Sequence, residues 1–192
     1  GEAKVFTEIL EESARGQITA LCEQQFVKDS KIRIMPDVHA GKGCTIGTTM
    51  TIGDYVVPNL VGVDIGCGML TVALKEKRIN LPELDSFIRK NIPAGRDVRE
   101  RTHRSHGRID IEELRCYKHI DTRRAKESLG TLGGGNHFIE VDKDDEGNLY
   151  LVIHTGSRNL GLRVADYYQA KAYKAVGGKS QSEIPYELAY LT

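Results

Sequence analysis

The chain has 192 residues with 27 Lys+Arg against 27 Asp+Glu, so its formal net charge is zero and no overall field draws it to a polyanion. At 40% hydrophobic and 28% charged residues it is too apolar for a disordered chain and long enough for one core. No apolar run reaches the roughly 18 residues that a membrane-spanning helix needs, and the first residues carry no signal or transit character. Cys22, Cys44, Cys67 and Cys116 are widely spaced with no C-x-x-C, which excludes a disulfide scaffold or zinc ribbon and predicts reduced thiols in a cytoplasmic protein.

In chain order, Val5, Ile9, Ile18, Leu21, Cys22 and Phe26 fall at helical spacing, which predicts two short helices within residues 3–28 separated at Gly16. Residues 31–35 alternate as a strand closed by Pro36. Residues 44–74, rich in Val, Ile and Thr and punctuated by Gly and Pro58, read as several short strands forming the body of a sheet. Asn80 and Glu83 make a capping pair with Pro82 in the first turn, opening a helix that runs to about Asn91. Residues 96–126 hold ten Lys/Arg against six Asp/Glu. Such a run is more often a solvated, partly helical surface than an RNA-contacting one, and both readings stay open.

Residues 137–141 and 149–155 read as a β-hairpin around a polar loop. A symmetric pairing of 137 with 154 and 141 with 150 puts His137 and His154 on one side, roughly 4.5–5.5 Å apart at Cα; a bulge in the loop would change that register. Ser157 is a candidate cap for a helix through Leu160, Val164, Tyr167, Tyr168 and Ala172 that ends near Gly177 and Gly178. The last twelve residues read as a chain that continues.

Glycine is the compositional anomaly, with seven between Gly41 and Gly68 and four between Gly130 and Gly135. Turns explain some of them; in β-rich surroundings they also let backbone approach a ligand. Phosphate-loop, dinucleotide, zinc-protease and nucleophile-elbow motifs are absent. What remains is four places where a metal ligand or polar group sits beside glycine: residues 36–41, 62–68, 133–137 and 154–158. Asp64 and Cys67, three apart with Gly66 and Gly68 around the thiol, can converge on one ion, and a thiolate can bridge two. Taken singly, Cys67 reads as a small buried hydrophobe and each histidine as a satisfied polar group. Taken together the four sites point to metal chemistry, and a Cys/His/Asp set by softness alone favours Zn or Fe over Mn.

The strings PDVHAGKGCTIGTTM, VGVDIGCGM, GGGNHFIEV and VIHTGSRNLG occur in the order of, and resemble, the signature blocks of the RtcB-type RNA ligases, or tRNA-splicing ligases. The resemblance runs from about Val5 to Thr192 and covers the first half or so of a typical member, so residues 1–192 are expected to be the N-terminal part of a single catalytic domain. It implies an α+β fold, with a buried, mostly antiparallel sheet and flanking helices, incomplete in this chain. It implies two Mn(II) ions and GTP as cofactors, and RNA as substrate, with archease as a candidate accessory partner. Family members join an RNA 3′-phosphate or 2′,3′-cyclic phosphate to a 5′-hydroxyl end, through a histidine that takes GMP from GTP and passes it to the RNA.

Carried over onto matching positions, Asp64, Cys67 and His137 resemble the ligands of one metal, with Cys67 bridging to a second that His154 also binds. Asn136 resembles a phosphate contact, Phe138 and Glu140 the residues that hold guanine, and Arg158 an active-site arginine suited to a phosphate. Asp37 and His39 fall in a block expected to support the ligands from behind. The family's guanylylated histidine and remaining metal histidine lie in its C-terminal half, so the resemblance implies no nucleophile here and a chain inactive alone. Two other readings are a short relative that binds metal or RNA ends without ligating, and a metal-dependent phosphodiesterase.

Overall fold

A computed structural model describes residues 1–177 and 184–192 and divides the chain into two compact units, one of residues 1–63 and 165–192, the other of residues 64–164. Gly178, one of the two expected helix stops, lies outside the described residues. Among the described residues no helix is long and apolar enough to cross a membrane.

The first unit is built on a three-stranded sheet in the order β1-β2-β3, with β1 at Glu2–Val5, β2 at Lys31–His39 and β3 at Ile46–Met50. β1 pairs parallel to β2, and β3 pairs antiparallel to β2. The helix α1 spans Glu12–Cys22 and buries Ala14, Ile18 and Leu21; Ile18 and Leu21 join Val27, Ile32, Ile34, Cys44 and Leu188 in the core. The expected first helix is therefore a strand at Val5, because β2 offers it a hydrogen-bonding edge that local periodicity does not report. Gly16 does not interrupt α1, since it faces open space and costs only about 1 kcal/mol against alanine there. Pro36 does not close β2 either: the pairing with β3 shifts between Ile34 and His39, so the residue without an N–H sits in the irregular stretch. A short helix α2, Pro58–Val61, is fastened from the side, where Asn59 N donates to the Oε1 of the buried Gln169 at 3.0 Å.

The second unit carries a separate three-stranded antiparallel sheet in the order β4-β6-β5, with β4 at Gly68–Ala73, β5 at Phe138–Lys143 and β6 at Leu149–Thr155. The strands expected from residues 44–74 as the body of one sheet are thus divided between two sheets, and β4, expected from the resemblance to be buried, is exposed along its whole length. The class is α+β, with mostly antiparallel pairing. The helix α3, Leu81–Asn91, begins as expected: the Asn80 side chain accepts from Glu83 N at 3.3 Å. Residues 96–126 form three 3-10 turns and the start of a short helix α4, Arg123–Ser128. The helix α5, Arg158–Val176, follows β6 and ends one residue before Gly177.

The hairpin forms, with a register one residue from the symmetric expectation: Phe138, not His137, pairs with His154. The cause is the loop. Asp144 N donates to Asn148 O, Gly147 N donates to Asp144 O, and Gly147 takes φ of +82°, which gives a tight turn with one left-handed residue and a closing pair Lys143–Leu149. His137 therefore lies just before the strand rather than in it.

Candidate metal centre

Three backbone features of the second unit bring four side chains together. The turn at residues 64–68, with Gly66 at positive φ and Cys67 N donating to Asp64 O at 3.0 Å, places Asp64 and Cys67 on one loop. The glycine turn at residues 133–135 delivers His137 at the mouth of β5, and β6 delivers His154 beside it. The His137 and His154 rings lie 5.5 Å apart at their centroids and nearly perpendicular. The two imidazoles are neighbours as the sequence led one to expect, although by a different register.

The polar contacts are specific. His137 Nε2 is 2.8 Å from Asp64 Oδ2, and Cys67 Sγ is 3.3 Å from His154 Nε2. Each ring turns its other nitrogen to a backbone carbonyl: His137 Nδ1 to Leu132 O at 3.0 Å, and His154 Nδ1 to Gly68 O at 3.1 Å. A carbonyl only accepts, so both rings carry hydrogen on Nδ1 and present Nε2 inward as the ligating atom. The ligand atoms of Cys67, His137 and His154 lie within 4.8 Å of one another. Donors bound to one first-row ion at about 2.0–2.3 Å lie about 3–4.5 Å apart, so this set fits a divalent transition metal, with Asp64 as a carboxylate at its side.

Small residues make the room. A side chain at Gly156 would collide with the Asp64 carboxylate, and one at Gly133 with His137 Nδ1 and the Arg158 guanidinium. The His137 side chain is 4% exposed and that of Asp64 34%, so the cluster has a dry side and a wet side. Burial pushes the Cys67 thiol up from its ordinary range, and the charge of Asp64 and a hydrogen bond to it push the same way. A thiolate at Cys67 therefore calls for a cation beside it.

Asn136 and Glu140 are exposed, and Phe138 is half-buried with its ring 5.4 Å from that of His154. Arg158 adopts φ of +59°, donates from Nη2 to Gly95 O at 2.7 Å and from Nε to Thr131 Oγ1 at 3.3 Å. Two of its donors are thus held by the protein, which fixes the plane of the guanidinium. Ser157, which directly precedes α5, directs its hydroxyl to Asp64 Oδ1 at 3.5 Å. Asp37 and His39 lie on β2 in the first unit, where the His39 ring bonds to Asp37 O at 2.9 Å. Sequence reasoning passed over Leu132 and Gly95, which act through carbonyls that no residue type announces; Gly156 belongs to segment 154–158, one of the four glycine-flanked places read from the sequence.

Cys67, His137 and His154 form a group that could hold a metal ion, with Asp64 against His137, in a protein of α+β class. The family model described as tRNA-splicing ligase RtcB matches residues 17–115 and 98–192. The chain is 34% identical over 202 residues to the RNA-splicing ligase RtcB of Escherichia coli strain K12, covering 94% of this chain and 49% of that protein. It is 30% identical over 189 residues to the tRNA-splicing ligase RtcB of Aeropyrum pernix, and 29% over 194 residues to that of Nanoarchaeum equitans, each time covering 70% of this chain and 39% of the relative. The chain belongs to the tRNA-splicing ligase RtcB family, and it spans half or less of the length of these relatives.

Proposed function

We propose that this chain contributes most of a dinuclear Mn(II) site to a GTP-dependent ligase that joins RNA 3′-phosphate or 2′,3′-cyclic phosphate ends to 5′-hydroxyl ends, in tRNA splicing or RNA repair in the cytoplasm. The observation that carries this reading is the convergence of Cys67, His137 and His154 beside Asp64, with both imidazoles held by carbonyls so that Nε2 faces inward. A metal ion bound there neutralises phosphoryl charge and aligns the reacting oxygens.

The chain's own residues do the rest. Asp64, Cys67 and His137 hold one ion, with Cys67 and His154 offered to a second. Arg158, fixed by Gly95 and Thr131, keeps the remaining guanidinium nitrogen for an anionic oxygen. Asn136, exposed next to His137, meets a phosphate of GTP; Phe138 and Glu140 meet its base, one by packing and one by accepting from the guanine edge. The nucleophilic histidine is supplied by the part of the family's length that this chain does not span, and archease is a candidate accessory partner.

Mn(II) titration followed by electron paramagnetic resonance tests the metal step. Binding that weakens at least tenfold in Cys67→Ala supports it; a titration unchanged by that substitution overturns it. Release of phosphate ends from 2′,3′-cyclic phosphate RNA with Mn(II) and no GTP would instead mark a phosphodiesterase.

A further inference from the structure

Within the second unit, an open groove of about 830 Å³ runs between the end of α3, the loop after it and the start of α4. Its walls carry Arg89, Lys90, Arg96, Arg99, Arg101 and Arg124 against the acidic Asp97 and Glu100. Three of the cations are spent. Arg89 Nε bonds to Asp85 at 2.8 Å, Arg99 donates to Leu129 O and Gly130 O at 3.2 and 2.6 Å, and Arg124 donates to Arg96 O. Lys90, Arg96 and Arg101 make no side-chain hydrogen bond or ion pair among the described residues. The chain is neutral overall, so this local surplus is built by placement rather than by composition.

The groove is joined to the metal cluster by backbone. Gly95 N donates to Gly133 O at 2.8 Å, Leu132 N donates to Pro93 O at 2.9 Å, and Gly95 O receives Arg158. Leu132 O in turn receives His137. The loop that carries Arg96 and Arg101 is therefore fastened to the turn that positions His137, and Arg158 bridges the two.

We propose that this groove is the path of single-stranded RNA leading to the metal cluster, with Lys90, Arg96 and Arg101 contacting successive phosphates upstream of the reacting end. The wall residues include no aromatic ring, so recognition is of the backbone and independent of base sequence. The inference rests on the RNA end-joining reading and adds a substrate path to it.

The test is fluorescence anisotropy with a labelled 12-nucleotide single-stranded RNA bearing a 3′-phosphate, titrated with the chain across a salt series. Lys90→Ala/Arg96→Ala/Arg101→Ala is expected to weaken binding at least tenfold at low salt. It should also flatten the slope of log affinity against log salt by about 2, at roughly 0.7 per phosphate contact on a single strand. The charge-matched variant Lys28→Ala/Lys31→Ala/Lys171→Ala, on the other unit, is expected to bind as the parent does. Equal affinity of the two triple variants overturns the groove, and so does a polyglutamate peptide that competes as well as the RNA. Mn(II) titration of the same samples keeps the two ideas apart: metal binding intact with RNA affinity unmoved sinks the groove alone, whereas a parent chain that binds no Mn(II) sinks the end-joining reading.

Discussion

His137 bonds in two directions at once, with Nε2 2.8 Å from Asp64 Oδ2 and Nδ1 3.0 Å from Leu132 O. One buried ring thus ties the glycine-rich turn at Asp64 to the loop that opens β5. Nδ1 must donate to the carbonyl, so Nε2 and the carboxylate share whatever lies between them, a proton or a cation.

Metal uptake should release protons. With the Cys67 thiol held above its ordinary value of 9.0, it is protonated at neutral pH and must lose that proton to ligate. The apparent affinity for Mn(II) is expected to rise with pH below the thiol range, by up to tenfold per unit for one proton released. Calorimetry in buffers of different ionisation enthalpy counts the protons; a pH-independent affinity would remove Cys67 from the ligand set. In competition at one pH, Zn(II) should displace Mn(II), following the ordinary affinity order for an N/S site.

Gly156→Ala should weaken metal binding without a new charge or a lost ligand. Its methyl group would occupy the space of the Asp64 carboxylate, which must then swing away from His137. The expected result is an Mn(II) affinity reduced at least tenfold with the far-ultraviolet circular dichroism of the parent. Parental Mn(II) affinity in this variant would mean that the carboxylate position is not part of the site.

The hairpin loop carries a pH-dependent contribution to stability. Asp144 accepts from the Asn148 side chain and the backbone N–H groups of Asn148 and Glu146, and from the Tyr150 hydroxyl, and these bonds hold its carboxyl below the ordinary value of 3.8. A carboxyl depressed in the folded state stabilises above the unfolded pKa, and that contribution fades as pH falls through the folded value. Asp144→Ala should therefore lower the melting temperature at pH 7, and the gap from the parent should narrow below about pH 3.8. A gap that stays constant down to pH 2 would contradict the assignment.

Legibility followed the range of the interaction. The cap Asn80 was legible because its partner Glu83 is three residues away, and the meeting of Asp64 with Cys67 because the flanking glycines permit a tight loop there. The hairpin was legible as a hairpin, but its register depends on one left-handed residue, Gly147, and that shifted His137 off the strand. The strand at Val5 was hidden because its partner, Ile34, lies far along the chain. The carbonyls of Leu132 and Gly68 that orient the two imidazoles were hidden for a different reason, since every residue has one and only the fold selects among them.

The exposed strand β4 should make the chain self-associate. It pairs only with β6 among the described residues, leaving its outer edge of N–H and C=O groups unpaired, and Met69, Leu70 and Val72 are 62%, 59% and 41% exposed. An apolar open edge is a template for another strand. Leu70 and Val72 share the sheet face of Ile153 and Leu151, opposite to the face that carries His154. Leu70→Lys/Val72→Lys therefore charges the edge without touching the metal cluster. Sedimentation velocity should find a mass that rises with concentration for the parent and association at least tenfold weaker for the double variant. The Mn(II) titration should be the same for both. A parent that sediments as a sharp monomer at high concentration would mean that the edge is protected by its own twist and side chains, and β4 would lose its standing as an adhesive surface.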